Sequence, residues 1–285
     1  MLKSHLPVFE PVEFEIRLLN ARVDRAKQHF EAFGHTWAEY LAARPHSLDH
    51  TVEEDGVVVL RLLRRTPLPV ELSLVFGEFL YELRAALDNC LYAAAVLVSG
   101  ENPPPSATRL EWPIRLTPKE WKDQSKRYQD LPLELVEALE AIQPYQAELP
   151  GWNSLGILHD LARVDRHRSP HGLGLYLAHL RMAFDRSVIE VVDSGRPGFV
   201  HHGDEIVRLR VGHEVELSPE NFDLKMEFEV DVTDVPEVLG PSASLGRPWG
   251  PLHKRMRALI KAVDEYTTAL IALAVEHRGG ACEGR

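Results

Sequence analysis

Two short polar stretches sit inside segments that otherwise read as buried helix, and they hold the residue types that could do chemistry. The first, Leu83 to Asn89, carries Arg84 and Asp88, one helical face beside Tyr81. The second, Leu161 to Arg168, carries Arg163, Asp165, Arg166, His167 and Arg168, with His171 just beyond. Guanidinium groups can hold a phosphate, and an imidazole that titrates near neutrality can move a proton. Arginine, aspartate and histidine are seldom buried unless paired, so each cluster needs a partner, and the simplest is the other cluster. The inward stripe of Leu155, Leu158, Leu161 and Ala162 continues to Asp165, which makes Arg84 its natural counter-charge. Two blander readings compete. Arg84 and Asp88 could be an exposed intrahelical pair worth a few tenths of a kcal/mol, and His167 and Arg168 could merely complement a helix C-terminus.

The elements that must position these residues follow from periodicity. Leu19, Val23, Ala26, Phe30, Phe33, Trp37 and Leu41 form one stripe, predicting a helix from about Val12 to Ala43 that ends at Pro45. Residues 51–65 read as a hairpin around Asp55-Gly56. A widely apolar helix spans Val70 to Ser99, stopped by Gly100 and three prolines. Thr117-Pro118-Lys119-Glu120 is a capping box, a helix is expected over Leu133 to Ile142, and Asn153 is an N-cap for the helix ending near Arg168. Beyond Pro170, Phe222 to Val232 alternates strictly between apolar and charged residues, a strand with one wet face. Ser187 to Val192 and Glu205 to Val211 read as its companions in an antiparallel sheet. A last helix is expected from Leu252 to His277. The expected fold class is α+β, a helical bundle with an inserted or docked antiparallel β-meander. Residues 1–170 would be helical apart from the hairpin, 171–246 the meander, and 247–285 a helix returning to the bundle.

Composition narrows the function. The 285 residues carry a formal net charge of −11, which opposes non-specific binding to nucleic acid or anionic membrane. Cys90 lies in the most apolar helix and Cys282 in a polar tail, so a reducing compartment and a cytoplasmic location are expected. The apolar run Leu91 to Val98 is too short to span a bilayer, and Met1 to Glu10 has no signal-peptide core. Gly172-Leu173-Gly174 lacks the rest of a dinucleotide fingerprint, and there is no P-loop, zinc-protease pair or nucleophile elbow, so no cofactor is expected. His201-His202-Gly203-Asp204 resembles a metal site in composition but falls in an expected turn. The cations His253, Lys254, Arg255, Arg257 and Lys261 crowd the start of the last helix and read as an anion patch or, more commonly for such a run, a solvated face.

The run "LRAALDNCL" at Leu83 to Leu91, then Trp112-Pro113-Ile114, Gln143-Pro144-Tyr145 and Asp165-Arg166-His167-Arg168, resembles a family of uncharacterised bacterial proteins with LRSALDH, FPI, QPY and DKHR segments in that order. Asn89 stands where that family has histidine, and Arg166 where it has lysine. The family is similar in turn to the HEPN helical domains, many of them metal-independent ribonucleases. The resemblance implies RNA as substrate, a homodimer, His167 or His171 as general base, and Arg84, Arg166 or Arg168 as phosphate ligands, with Asp88, Asp165, Arg163 and Tyr81 beside them. Pro170 interrupts the helix between Arg166 and His171. The alternative is a non-catalytic binding or scaffold protein whose Arg–Asp–His clusters only hold helices together. A metal-dependent hydrolase using His159, Asp165 and His167 is the weakest reading.

Overall fold

The structure, a computed structural model, describes residues 2, 7–167, 170–212, 215–234, 247 and 249–283, with the backbone alone for 7–8, 165–167 and 280–283. Among them lie six α-helices and seven strands: α1 (Glu13–Ala42), β1 (His46–Val52), β2 (Val57–Arg64), α2 (Val70–Ser99), α3 (Pro118–Gln124), α4 (Leu133–Ala141), α5 (Ser154–His167), β3 (Leu173–Phe184), β4 (Ile189–Ser194), β5 (Gly198–Phe199), β6 (Glu205–Val211), β7 (Phe222–Val232) and α6 (Leu252–Glu283). The protein is α+β, and both its sheets are antiparallel. No helix is long and apolar enough to cross a membrane among the described residues.

The chain divides into two compact units: Met1–Ala32 with Leu74–Pro170 and His253–Arg285, and Phe33–Ser73 with His171–Leu252. In the helical unit, Leu19, Val23 and Ala26 of α1 and Phe76, Phe79, Leu83 and Leu87 of α2 are all buried, as are Leu259, Val263 and Ile271 of α6. Each of these side chains other than Ala26 stabilises the fold by about 1.5–3 kcal/mol relative to exposure. Arg22 ties α1 to α2 through Glu82 (2.8 Å) and Asn89 (2.7 Å).

The sheet unit differs from the expected meander. Its four-stranded sheet has the order β1-β2-β6-β4, and the hairpin assigned from sequence to the helical region supplies two of those strands. β2 pairs with β6, Val58 opposite Leu209, so the apolar run Val57 to Leu60 becomes a central strand and buries on that pairing. Gly56, with φ +80, makes the turn that lets β1 fold back on β2. The second sheet has the order β5-β3-β7. The strand Phe222–Val232 therefore pairs with β3, not with the segments around 187–192 and 205–211 expected as its companions. The two sheets share a core of Leu60, Leu62, Leu175, Leu177, Ile206 and Leu209. Gly174 is required by close approach: a Cβ there would stand 2.6 Å from Thr233 Cγ2 and 2.8 Å from the Phe199 ring.

Candidate functional site

A five-residue strap, Glu111 to Arg115, belongs to no helix or strand and makes no backbone–backbone hydrogen bonds among the described residues. Its backbone groups must therefore find partners among side chains. Asp88 Oδ1 accepts from Trp112 N at 2.8 Å, and Arg84 Nη2 donates to the Trp112 carbonyl at 2.9 Å. Tyr128 Oη donates to the Glu111 carbonyl at 3.0 Å. Gln143 accepts from Arg115 N at 2.8 Å and donates to the carbonyls of Pro113 (3.1 Å) and Leu139 (2.6 Å). Three of the sequence segments singled out, around Arg84 to Asp88, Trp112 to Ile114 and Gln143 to Tyr145, are thus parts of one device that fixes a coil.

Arg84 is buried, its side chain only 5% exposed, and its carboxylate neighbours are Glu111 at 3.3 Å and Asp88 at 4.0 Å. The expected meeting of Arg84 with Asp165 lies outside the described side chains, as do Arg166 and His167, and Arg168 lies outside the described residues altogether. Of the second cluster, Arg163 lines a cavity together with Glu111, the carboxylate that pairs with Arg84. His159, Asp160 and Arg163 face Glu111, Arg115 and Arg127 across a cavity of about 520 Å3, with Glu120 and Asp123 at its edge. The N-cap Asn153 starts α5 by accepting from Leu155 N (2.9 Å) and Gly156 N (3.2 Å), and Leu155, Leu158 and Leu161 bury the opposite face. That amphipathic setting turns His159 and Arg163 toward the cleft.

Much of the charge here is internally committed. Glu111 is shared by Arg84 and Arg127, the latter at 3.1 Å. Glu120 accepts from Leu116 N at 2.9 Å while Thr117 caps α3, and Asp123 pairs with Lys119 at 2.7 Å. Arg115 Nε is buried without an acceptor, and no described residue accepts from Arg163. Arg115 Nη1 donates to the Ile114 carbonyl at 3.2 Å, so the cleft offers the Arg163 guanidinium, with Arg115 partly committed, alongside Asp160. Burial pushes the His159 imidazole below its usual range, and the positive charges of Arg84, Arg163 and Arg115 push it further, against the opposing effect of Asp160. A neutral imidazole in such a place is a proton acceptor.

The remaining expected residues fall elsewhere. Tyr81 is exposed, its ring 5.7 Å from the Arg22 guanidinium, and it does not line the cleft. His171 belongs to the sheet unit, buried, with Nδ1 2.8 Å from Asp234 Oδ1, and Gly172 N donates to the other carboxylate oxygen at 3.1 Å. That is a capped strand entry, and His171 is not among the residues around the cleft. Arg255, expected on a solvated face, is buried at 4% exposure. His201 to Asp204 forms the expected turn, with Gly203 at φ +91 and the Asp204 carboxylate accepting from His201 N at 2.7 Å. Sequence reasoning missed Glu111, Arg115 and Arg127, which lie in segments without periodicity, and weighed His159 only as a metal ligand.

Set against models of protein families, curated proteins and solved structures, the chain matches none of them.

Proposed function

We propose that the helical unit binds a phosphodiester of RNA in the α5–strap cleft and cleaves it by metal-independent base catalysis, as its resemblance to HEPN domains implies. His159 takes the proton of a ribose 2′-hydroxyl, the 2′-oxygen attacks the adjacent phosphorus, and the 5′-oxygen leaves with a proton from solvent, giving a 2′,3′-cyclic phosphate. Arg115 and Arg163 hold the phosphate oxygens, where bidentate guanidinium contacts are strongest. The supporting observation is the half-buried imidazole of His159, which lines one cleft with Arg115 and Arg163 and whose protonation is opposed by burial and by the nearby arginines. The spacing of His159, Arg163 and His167 by four along α5 keeps His167 in the proposal as a second proton carrier.

The test is cleavage of a fluorophore-labelled single-stranded RNA by the wild type, His159→Gln, His167→Gln and Arg163→Ala. His159→Gln is expected to lower the rate about a hundredfold, the usual reach of a general base, with circular dichroism unchanged. Arg163→Ala is expected to weaken RNA binding. Equal cleavage by wild type and His159→Gln would overturn the mechanism. The scaffold reading draws on a separate observation, the use of Arg84, Asp88 and Gln143 to pin the strap. It would stand if no variant altered an RNA-directed activity while Gln143 variants lost stability.

A further inference from the structure

The sheet unit carries an apolar face that the fold leaves half-covered. Leu180, Met182 and Phe184 on β3 and Phe222, Leu224 and Met226 on β7 alternate with exposed neighbours, as an inward face should. Yet all six are only half-buried, whereas Leu175, Leu177, Val230 and Val232 at the other end of the same ribbon are fully buried. Beside the uncovered end lies a cavity of about 690 Å3 between the two sheets. Leu48, Val58, Leu60, Leu217, Phe222 and Leu224 line it. Leu48, His50 and Val52 follow one another on one face of edge strand β1, and Val52 is 66% exposed there.

The mouth is built rather than open chain. Asn221 accepts from Ser218 N and donates to the Glu216 carbonyl, each at 2.8 Å, which fixes the turn that flanks the cavity. The charged residues at the rim are Asp49 and Glu216, and no described residue around the cavity is lysine or arginine. Apolar surface left in contact with water is unfavourable, so a molecule that covers this floor is favoured on entry. The size is that of a small-molecule site, with an apolar floor and the polar side chains of Asp49, His50, Glu216 and Ser218 around it.

We propose that the mouth of this sandwich is a binding site for a neutral apolar small molecule bearing one hydrogen-bonding group, which His50 meets. The two carboxylates exclude an anionic headgroup by repulsion and desolvation. The site rests on the sheet unit alone and is independent of the RNA reading.

The experiment is fluorescence titration of the full chain with the neutral dye Nile red and, separately, with the anionic dye anilinonaphthalene sulfonate. Nile red is expected to saturate one site per chain with a blue shift, and the anionic dye to bind about tenfold more weakly or less. Leu224→Trp, which fills the cavity, and Val52→Asp, which adds charge at an exposed rim position, are each expected to weaken Nile red about tenfold. Val52→Asp tests the site even if the buried substitution disturbs folding. The proposal is overturned if Nile red does not saturate, if Val52→Asp leaves its affinity unchanged, or if the anionic dye binds more tightly. It is likewise overturned if light scattering gives a dimer that Val52→Asp dissociates, since a second copy would then be the occupant.

Discussion

Replacing Gln143 tests whether the strap is held as described. The side chain is fully buried and makes three hydrogen bonds, one accepted from Arg115 N and two donated to carbonyls. Each such bond contributes about 1 kcal/mol net, and each group left stranded away from water costs about 1–3 kcal/mol. Leu139 O sits in a helix and Arg115 is partly exposed, so neither is stranded in full. Gln143→Ala is therefore expected to cost about 3–4 kcal/mol, the bonds and the vacated volume together. Gln143→Glu keeps the acceptor for Arg115 N but turns a carboxylate oxygen toward two carbonyls. It should be strongly destabilised at neutral pH and partly recovered at acid pH, where the carboxyl is protonated and donates one bond. Urea unfolding followed by circular dichroism gives the free energies, provided the dependence on urea is unchanged. Amide exchange of a peptide covering residues 111–116 reports the strap itself. A loss below about 0.5 kcal/mol for Gln143→Ala, or equal exchange in both proteins, would refute the reasoning.

Two further outcomes follow from the geometry. The His159 imidazole resists protonation in the folded state, while the unfolded chain takes the proton near pH 6.5. The unfolded state then binds more protons, so stability rises with pH through that region and falls as pH drops below it. His46 is shifted in the same direction by burial and by Arg64, so His159→Gln should shallow the slope between pH 5 and about 6.5 without abolishing it, and an identical slope would contradict the assigned shift. Gly174→Ala should lower stability by about 1–3 kcal/mol through contact with Thr233 and Phe199, while Gly198→Ala, whose Cβ would have its nearest neighbour at 3.9 Å, costs less than about 1 kcal/mol; equal thermal midpoints for the two variants would refute the packing argument.

Where one physical signal dominated, the sequence was sufficient. α2 runs from Val70 to Ser99 and β6 from Glu205 to Val211, as apolar patterning and flanking breakers imply. β3 was missed because Leu175, Ala178, Leu180 and Met182 are good helix formers, and only its pairing with β7 decides the matter. Pairing between strands is a long-range property, so β7 could be recognised as a strand without its partner being known. At the site, Arg84 and Asp88 were legible as groups needing partners, and Gln143 and Trp112 as parts of a motif. The partner itself, a coil with no period, left no signal in hydrophobic patterning. Glu111, Arg115 and Arg127 could have been found only by asking where the backbone groups of that coil find their bonds.

The strap's rigidity is borrowed. A strand in a sheet shares its bonds with neighbours whose side chains can vary freely, but residues 111–115 depend on the identities of Arg84, Asp88, Tyr128 and Gln143. None of these substitutes for another, so in any lineage descending from this chain the four positions should drift as a cohort or stay put, while the cleft wall they hold remains free to change what it grips.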